Sequence, residues 1–151
     1  MLLSGQYVSG RKVDEFETLF SEYVGVDHSV AVNSGTAALH SALDVLGVGP
    51  GDEVIVPALT FFSTVTAVVH QAGVPIFCDI SLDNFCLDPD DLLRRITPRT
   101  KAIIAVHYFG HAAEMDAINQ IAKRYGLAVI EDCAQAHGTT YKGRKVGSIG
   151  D

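Results

Sequence analysis

EVIVP, residues 53–57, is apolar on both sides of the chain once past its first residue. Side chains of a strand alternate between two faces, so a sheet with one wet face shows a polar residue at every second position. Val54, Ile55 and Val56 leave neither face polar. Such a strand belongs in a sheet covered on both sides, and the usual sheet of that kind is parallel and lies between two layers of helices.

Outward from this strand the same signature returns in PIFCDI (75–80), KAIIAVH (101–107) and LAVIED (127–132), and HSVAVNS (28–34) reads as a further short strand with a polar end. Helical patterns alternate with them. VDEFETLFSEYVG (13–25) places Val13, Phe16, Leu19, Phe20 and Tyr23 on one stripe, with Gly25 as its stop. GTAALHSALDVLG (35–47) and FFSTVTAVVHQAG (61–73) are helices, the second despite its β-branched residues. DPDDLLRRI (88–96) opens with an Asp cap, a proline at the first helical position and early acids. AEMDAINQIAKRYG (113–126) ends with Lys and Arg against the helix dipole. TTYKGRKVGS reads as a small hairpin around Lys142-Gly143. The expected architecture is α/β, a three-layer αβα arrangement around a mostly parallel sheet, with no internal repeat or linker.

The bulk numbers narrow the function classes. The chain has 151 residues, about one domain, and 48% of them are apolar. A net charge of −7 opposes a nucleic-acid or anionic-membrane partner, since both need a basic face. No apolar run reaches the roughly 18–20 residues that cross a bilayer, and MLLSGQYVSGRK lacks the apolar centre of a signal peptide; the chain reads as cytoplasmic. Cys78, Cys86 and Cys133 form no CxxC pair, and each reads as a small buried hydrophobe.

In parallel sheets of this kind, ligands bind beyond the carboxyl ends of the strands. Asn33 to Thr36, Pro57 to Phe61, His107 to His111 and Asp132 to Gln135 are therefore the residues to read. Ser34-Gly35-Thr36-Ala37-Ala38 leaves one element and opens a helix; its amides and the Thr36 hydroxyl suit a phosphate, and Ser34 equally suits plain helix capping. Asp132 can hold a protonated ring nitrogen or cap the next segment. Gln135 offers an amide to a hydroxyl or phenolate, and Phe61 is placed to stack on a flat ligand or to pack in the core. His107 reads first as a satisfied strand-end histidine and second as a substrate contact. Glu131, Asp132, Cys133 and His137 match no familiar zinc spacing, so no metal is expected, and a Cys133–His137 nucleophile pair is no better supported.

In order along the chain, SGTAALHSAL, GPGDEVIVPALTF, GVPIFCDI, ITPRTKAIIAVHYFG and VIEDCAQAHGTTYKGRKVGSIGD resemble the DegT/DnrJ/EryC1/StrS aminotransferases, pyridoxal-phosphate enzymes of fold type I that act mainly on keto-sugars and related cyclic ketones. The resemblance covers essentially all 151 residues. It implies pyridoxal 5'-phosphate as cofactor, phosphate contacts from Thr36 and Ala37, Phe61 stacked on the pyridine ring, Asp132 paired with the ring nitrogen, and Gln135 beside the ring edge. It further implies an amino donor such as glutamate or glutamine, a keto-sugar or cyclitol acceptor, and a homodimer.

The chain departs from that pattern in one respect. The family carries its Schiff-base lysine in a segment after GSIGD, and Lys12, Lys101, Lys123, Lys142 and Lys145 do not stand in that context. No catalytic residue is therefore assigned within the chain. Residues 1–151 are expected to be the front part of a truncated fold type I large domain, without its remaining strands and the smaller C-terminal domain. A sugar dehydratase of the same family, or a non-catalytic relative, remains the alternative. The resemblance also implies that strand 28–34 pairs with the last strand of the sheet, from outside this chain, and that the strand after 127–132 is missing too, which would leave 127–132 as a bare edge.

Overall fold

The computed structural model describes residue 5 and residues 10–151; the loop GQYVSG, residues 5–10, where the family resemblance implies substrate contacts, falls largely outside them. Helices α1 (Arg11–Val24) and α2 (Gly35–Val45) come first. They are followed by β1 (Glu53–Pro57), α3 (Phe62–His70), β2 (Val74–Cys78), α4 (Pro89–Arg95), β3 (Thr100–Val106), α5 (Met115–Tyr125) and β4 (Ala128–Asp132). The pair β5 (Thr140–Tyr141) and β6 (Arg144–Lys145) closes the list. The four longer strands form one all-parallel sheet in the order β2-β1-β3-β4.

The alternation of the strands divides the core in two. Ile55, Ile103, Ala105 and Val129 face α4 and α5, where they meet Leu92, Met115, Ile118 and Ile121. Val54, Val56, Ala102, Ile104 and Val106 face the other way, against Leu39 and Leu43 of α2 and Ala67 and Val68 of α3. While β2 at the sheet edge stays partly open, with Phe77 50% exposed, both faces are buried along β1 and β3. Burying each such side chain contributes about 1.5–3 kcal/mol.

Local signals set the helix ends. Gly25 and Gly126 close α1 and α5 in the left-handed conformation, a backbone state that costs any residue with a Cβ. The Asp88 side chain accepts from the Asp90 amide at the start of α4, with Pro89 at its first position. The expected hairpin forms with Lys142 and Gly143 both at positive φ, 50° and 83°, the geometry of a tight primed turn.

Two expectations change. Residues 28–34 form no strand. They lie unpaired, as the resemblance implies for a segment whose partner strand stands outside this chain, with Val30 80% and Val32 44% exposed. Glu17 tethers them, its main-chain oxygen accepting from Ser29 Oγ and its Oε1 from the Ala31 amide at 2.7 Å. A strand exists only with a neighbour, and no strand lies beside this segment. For the same reason Phe16, Leu19 and Tyr23 of the α1 stripe are exposed rather than core. The outer edge of β4, in contrast, is not bare. The Asp151 amide donates to the Val129 oxygen at 3.0 Å, and the Val129 amide donates to Asp151 Oδ2 at 2.9 Å. The chain's own residues 149–151 thus occupy the edge.

Candidate active site

The parallel sheet brings the ends of β1, β3 and β4 to one rim, and the start of α2 reaches the same rim. A cleft of about 520 Å³ lies between α1, α2 and the end of β4, lined among others by Phe20, Tyr23, Gly35, Leu39, Asp132 and His137. Asp132 and the first turn of α2 therefore share one space.

Asp132 is the most constrained of the expected ligand residues. Its Oδ2 accepts from the Thr64 hydroxyl at 3.2 Å, and its Oδ1 accepts from the Ala134 amide at 3.1 Å. Thr64 is completely buried, and its oxygen lies 2.8 Å from Thr60 Oγ1. With its proton committed to the carboxylate, Thr64 accepts from Thr60, which gives the relay Thr60 to Thr64 to Asp132. Among the described residues no basic side chain pairs with Asp132. The carboxylate is thus held in place by two donors, with no cation beside it among the described residues. Sequence reading missed Thr64, although Thr60 and Thr64, four apart at a helix start, carry the spacing that puts two hydroxyls on one face.

At the start of α2, Ser34 Oγ accepts from the Ala37 amide at 3.1 Å, so the capping reading of Ser34 is realised. The amides of Gly35 and Thr36 and the Thr36 hydroxyl have no partner among the described residues. Phe61 precedes α3 and is 67% exposed, which excludes the core-packing alternative. Gln135 Oε1 accepts from the Phe109 amide at 3.0 Å. This bond ties the segment after β4 to a short turn at Tyr108–Gly110, in which Phe109 holds a positive φ of 50°. No hydrogen bond links Thr36, Ala37 or Phe61 to Asp132.

His107 is satisfied on both ring nitrogens. Nδ1 accepts from the Ala113 amide at 3.0 Å, and Nε2 lies 2.9 Å from Glu131 Oε2. Ligand atoms of His107, Glu131 and Cys133 fall within 4.8 Å of one another, but the imidazole and the carboxylate are spent on these hydrogen bonds. Burial, reinforced by the charges of Glu131 and Asp132, pushes the Cys133 thiol up to about 12. His137 packs its ring edge-on to Phe20, with centroids 6.1 Å apart, and His111 uses its main chain, accepting from the Cys86 thiol and donating to the Tyr108 oxygen. These contacts leave Cys133 a poor nucleophile.

Comparison with known proteins places this geometry. The model of the DegT/DnrJ/EryC1/StrS aminotransferase family matches residues 1–151. The chain is 50% identical over 150 residues to the spore coat polysaccharide biosynthesis protein SpsC of Bacillus subtilis, covering 99% of this chain and 39% of the relative. It is 46% identical to the dTDP-3-amino-3,4,6-trideoxy-alpha-D-glucose transaminase of Streptomyces venezuelae, covering 98% of this chain and 39% of that one. Among solved structures, NtdA from Bacillus subtilis with bound cofactor PMP superposes with a TM-score of 0.91 at 45% identity, covering 95% of this chain and 33% of that chain. The chain spans about two fifths of the length of these curated relatives.

Proposed function

The chain belongs to the DegT/DnrJ/EryC1/StrS aminotransferase family, and from that premise we propose that it forms the cofactor-facing part of a pyridoxal-phosphate aminotransferase. The enzyme moves an amino group from glutamate or glutamine to a keto-sugar or cyclitol ketone. The observation that carries this reading is Asp132: a carboxylate clamped by Thr64 and Ala134, with no cation from the described residues.

Bound pyridoxal phosphate supplies an electron sink, which works while its ring nitrogen stays protonated. Asp132 would accept that proton's hydrogen bond and so keep it on the ring nitrogen, and Thr64, which donates to the carboxylate, would fix it so that little reorganisation is needed when charge develops. Phe61 would cover one face of the ring. Gln135 would present its amide to the ring edge while its oxygen holds the Phe109 amide. The Thr36 hydroxyl and the amides of the first turn of α2, that of Ala37 among them, would hold the phosphate. A relative bearing a sugar-transaminase name and a relative solved with PMP support the substrate class and the cofactor.

The exposed Val30 and Val32 and the length of the relatives support a larger domain in the whole enzyme, with further strands beside residues 28–34; the family resemblance adds a smaller domain and a homodimer to this proposal. The described helices include none long and apolar enough to cross a membrane.

The test is a pyridoxal phosphate titration followed by absorbance, with turnover of a keto-sugar, on the protein that carries this chain. Asp132→Ala should cut turnover by about 10²–10³ while thermal unfolding changes little. Thr36→Val should weaken cofactor binding by about 1.5–3 kcal/mol with a smaller effect on stability. Near-normal turnover in Asp132→Ala would refute the assignment.

A further inference from the structure

Glu131 carries four hydrogen bonds on one carboxylate. Oε2 accepts from His107 Nε2 and from the Gly147 amide, both at 2.9 Å. Oε1 accepts from the Ile149 and Gly150 amides, both at 2.7 Å. The two side chains are 4% and 0% exposed for Glu131 and His107. Because His107 Nδ1 accepts from the Ala113 amide, the ring hydrogen of the neutral imidazole resides on Nε2, which donates to Glu131. Four donors thus meet four acceptor positions with none left over, in a buried setting where an unmatched group is costly.

The same histidine also holds the next residue. Its main-chain amide donates to the Asp132 oxygen at 3.0 Å. Successive strand residues point to opposite faces. Glu131 therefore turns toward residues 147–150, and Asp132 toward Thr64 on α3. His107 grips Glu131 with its ring and Asp132 with its main chain.

We propose that His107 and Glu131 are a positioning pair, which locks the end of β4 against the Gly147–Gly150 turn and thereby holds Asp132 where it meets the cofactor ring. This role rests on the reading of Asp132 given above. It assigns neither residue a contact with cofactor or substrate.

Glu131→Gln is a sharp probe, because it preserves size and changes only the donor count. An NH2 in place of Oε2 faces the Gly147 amide; in place of Oε1 it faces those of Ile149 and Gly150. No tautomer of His107 removes the clash. The experiment compares wild type, Glu131→Gln, Asp132→Ala and the double variant of the protein that carries this chain. It reads amide hydrogen exchange without cofactor, then pyridoxal phosphate affinity.

In the wild type the Gly147, Ile149 and Gly150 amides should be protected. In Glu131→Gln they should exchange at least about tenfold faster, with Ile55 and Ile104 unchanged, and cofactor affinity should fall by about tenfold. On the Asp132→Ala background the same substitution should cause no further loss. Should Glu131→Gln fail to fold, His107→Gln carries the same cycle. Unprotected 147–150 amides in the wild type, unchanged cofactor affinity in Glu131→Gln, or an equal loss on both backgrounds would each overturn the pairing. Protection in the wild type with full cofactor affinity in Asp132→Ala would instead overturn the reading of Asp132, and the pair's role with it.

Discussion

The hydroxyl of Thr64 lies 3.2 Å from Asp132 Oδ2, although 68 residues separate the two in the chain. Thr64 comes from the first turn of α3 and Asp132 from the last residue of β4. Thr64→Val keeps the shape and deletes the donor, and it leaves Thr60 without its partner. A hydrogen bond to a charged group contributes about 1.5–3 kcal/mol. Pyridoxal phosphate affinity should fall by about tenfold or more in a spectroscopic titration, and Thr64→Ser should retain most of it. Equal affinity in the valine variant would remove Thr64 from the site.

Gly150 is required by close approach. A Cβ there would stand 2.6 Å from the Val129 oxygen, and backbone on both sides cannot yield as a flexible side chain would. Gly150→Ala should push residues 149–151 off the edge of β4 and destabilise the protein by about 1–3 kcal/mol. Chemical denaturation is the measurement, and wild-type stability in the alanine variant would contradict the packing described for this edge.

Acid should weaken the fold through carboxylates held below their ordinary values. Asp91 lies well below the usual range, first because the Asp79 amide donates to it and then because of Arg95 and Arg94. For Glu131, burial pushes upward, but His107 and the amides of Gly147, Gly150 and Ile149 outweigh it. A depressed folded pKa means that the unfolded chain binds protons first. The stabilisation is therefore complete above the unfolded value near 4 and is lost as pH falls through the folded value. Unfolding free energy measured from pH 7 to pH 3 should drop below about pH 5. Asp91→Asn should flatten that drop, and an unaltered acid limb would rule out Asp91 as a contributor.

The thiols should be inert in the folded protein. Burial pushes Cys78 and Cys133 up to about 12, helped by Asp91 and by Glu131 respectively. Because the thiolate is the reactive form, iodoacetamide at pH 8 should label the native protein far more slowly than the denatured one. Rapid native labelling of Cys133 would reopen the nucleophile reading.

The apolar runs at 53–57, 75–80, 101–107 and 127–132 were sufficient to place four parallel strands, because consecutive apolar residues mark a strand with two buried faces; the edge position of β2, which leaves Phe77 50% exposed, was not legible. Helix ends were equally legible at Asp88-Pro89, Gly25 and Gly126, where local geometry demands one residue type. Asp132, Thr36 and Phe61 could be singled out because parallel topology puts strand ends and helix starts on one rim.

Pairing between distant segments was not legible. HSVAVNS has strand composition yet lies unpaired, because hydrogen bonding to a neighbour, rather than propensity, makes a strand. The Thr64–Asp132 contact and the Glu131 hub are likewise products of the fold. Its place at the strand end singled out Asp132, but nothing in the run VIED shows that Glu131 is buried among three amides and a histidine. Strand alternation sends the two to opposite faces, but which face holds His107 and which holds Thr64 depends on the order β2-β1-β3-β4 and on the helices packed against it.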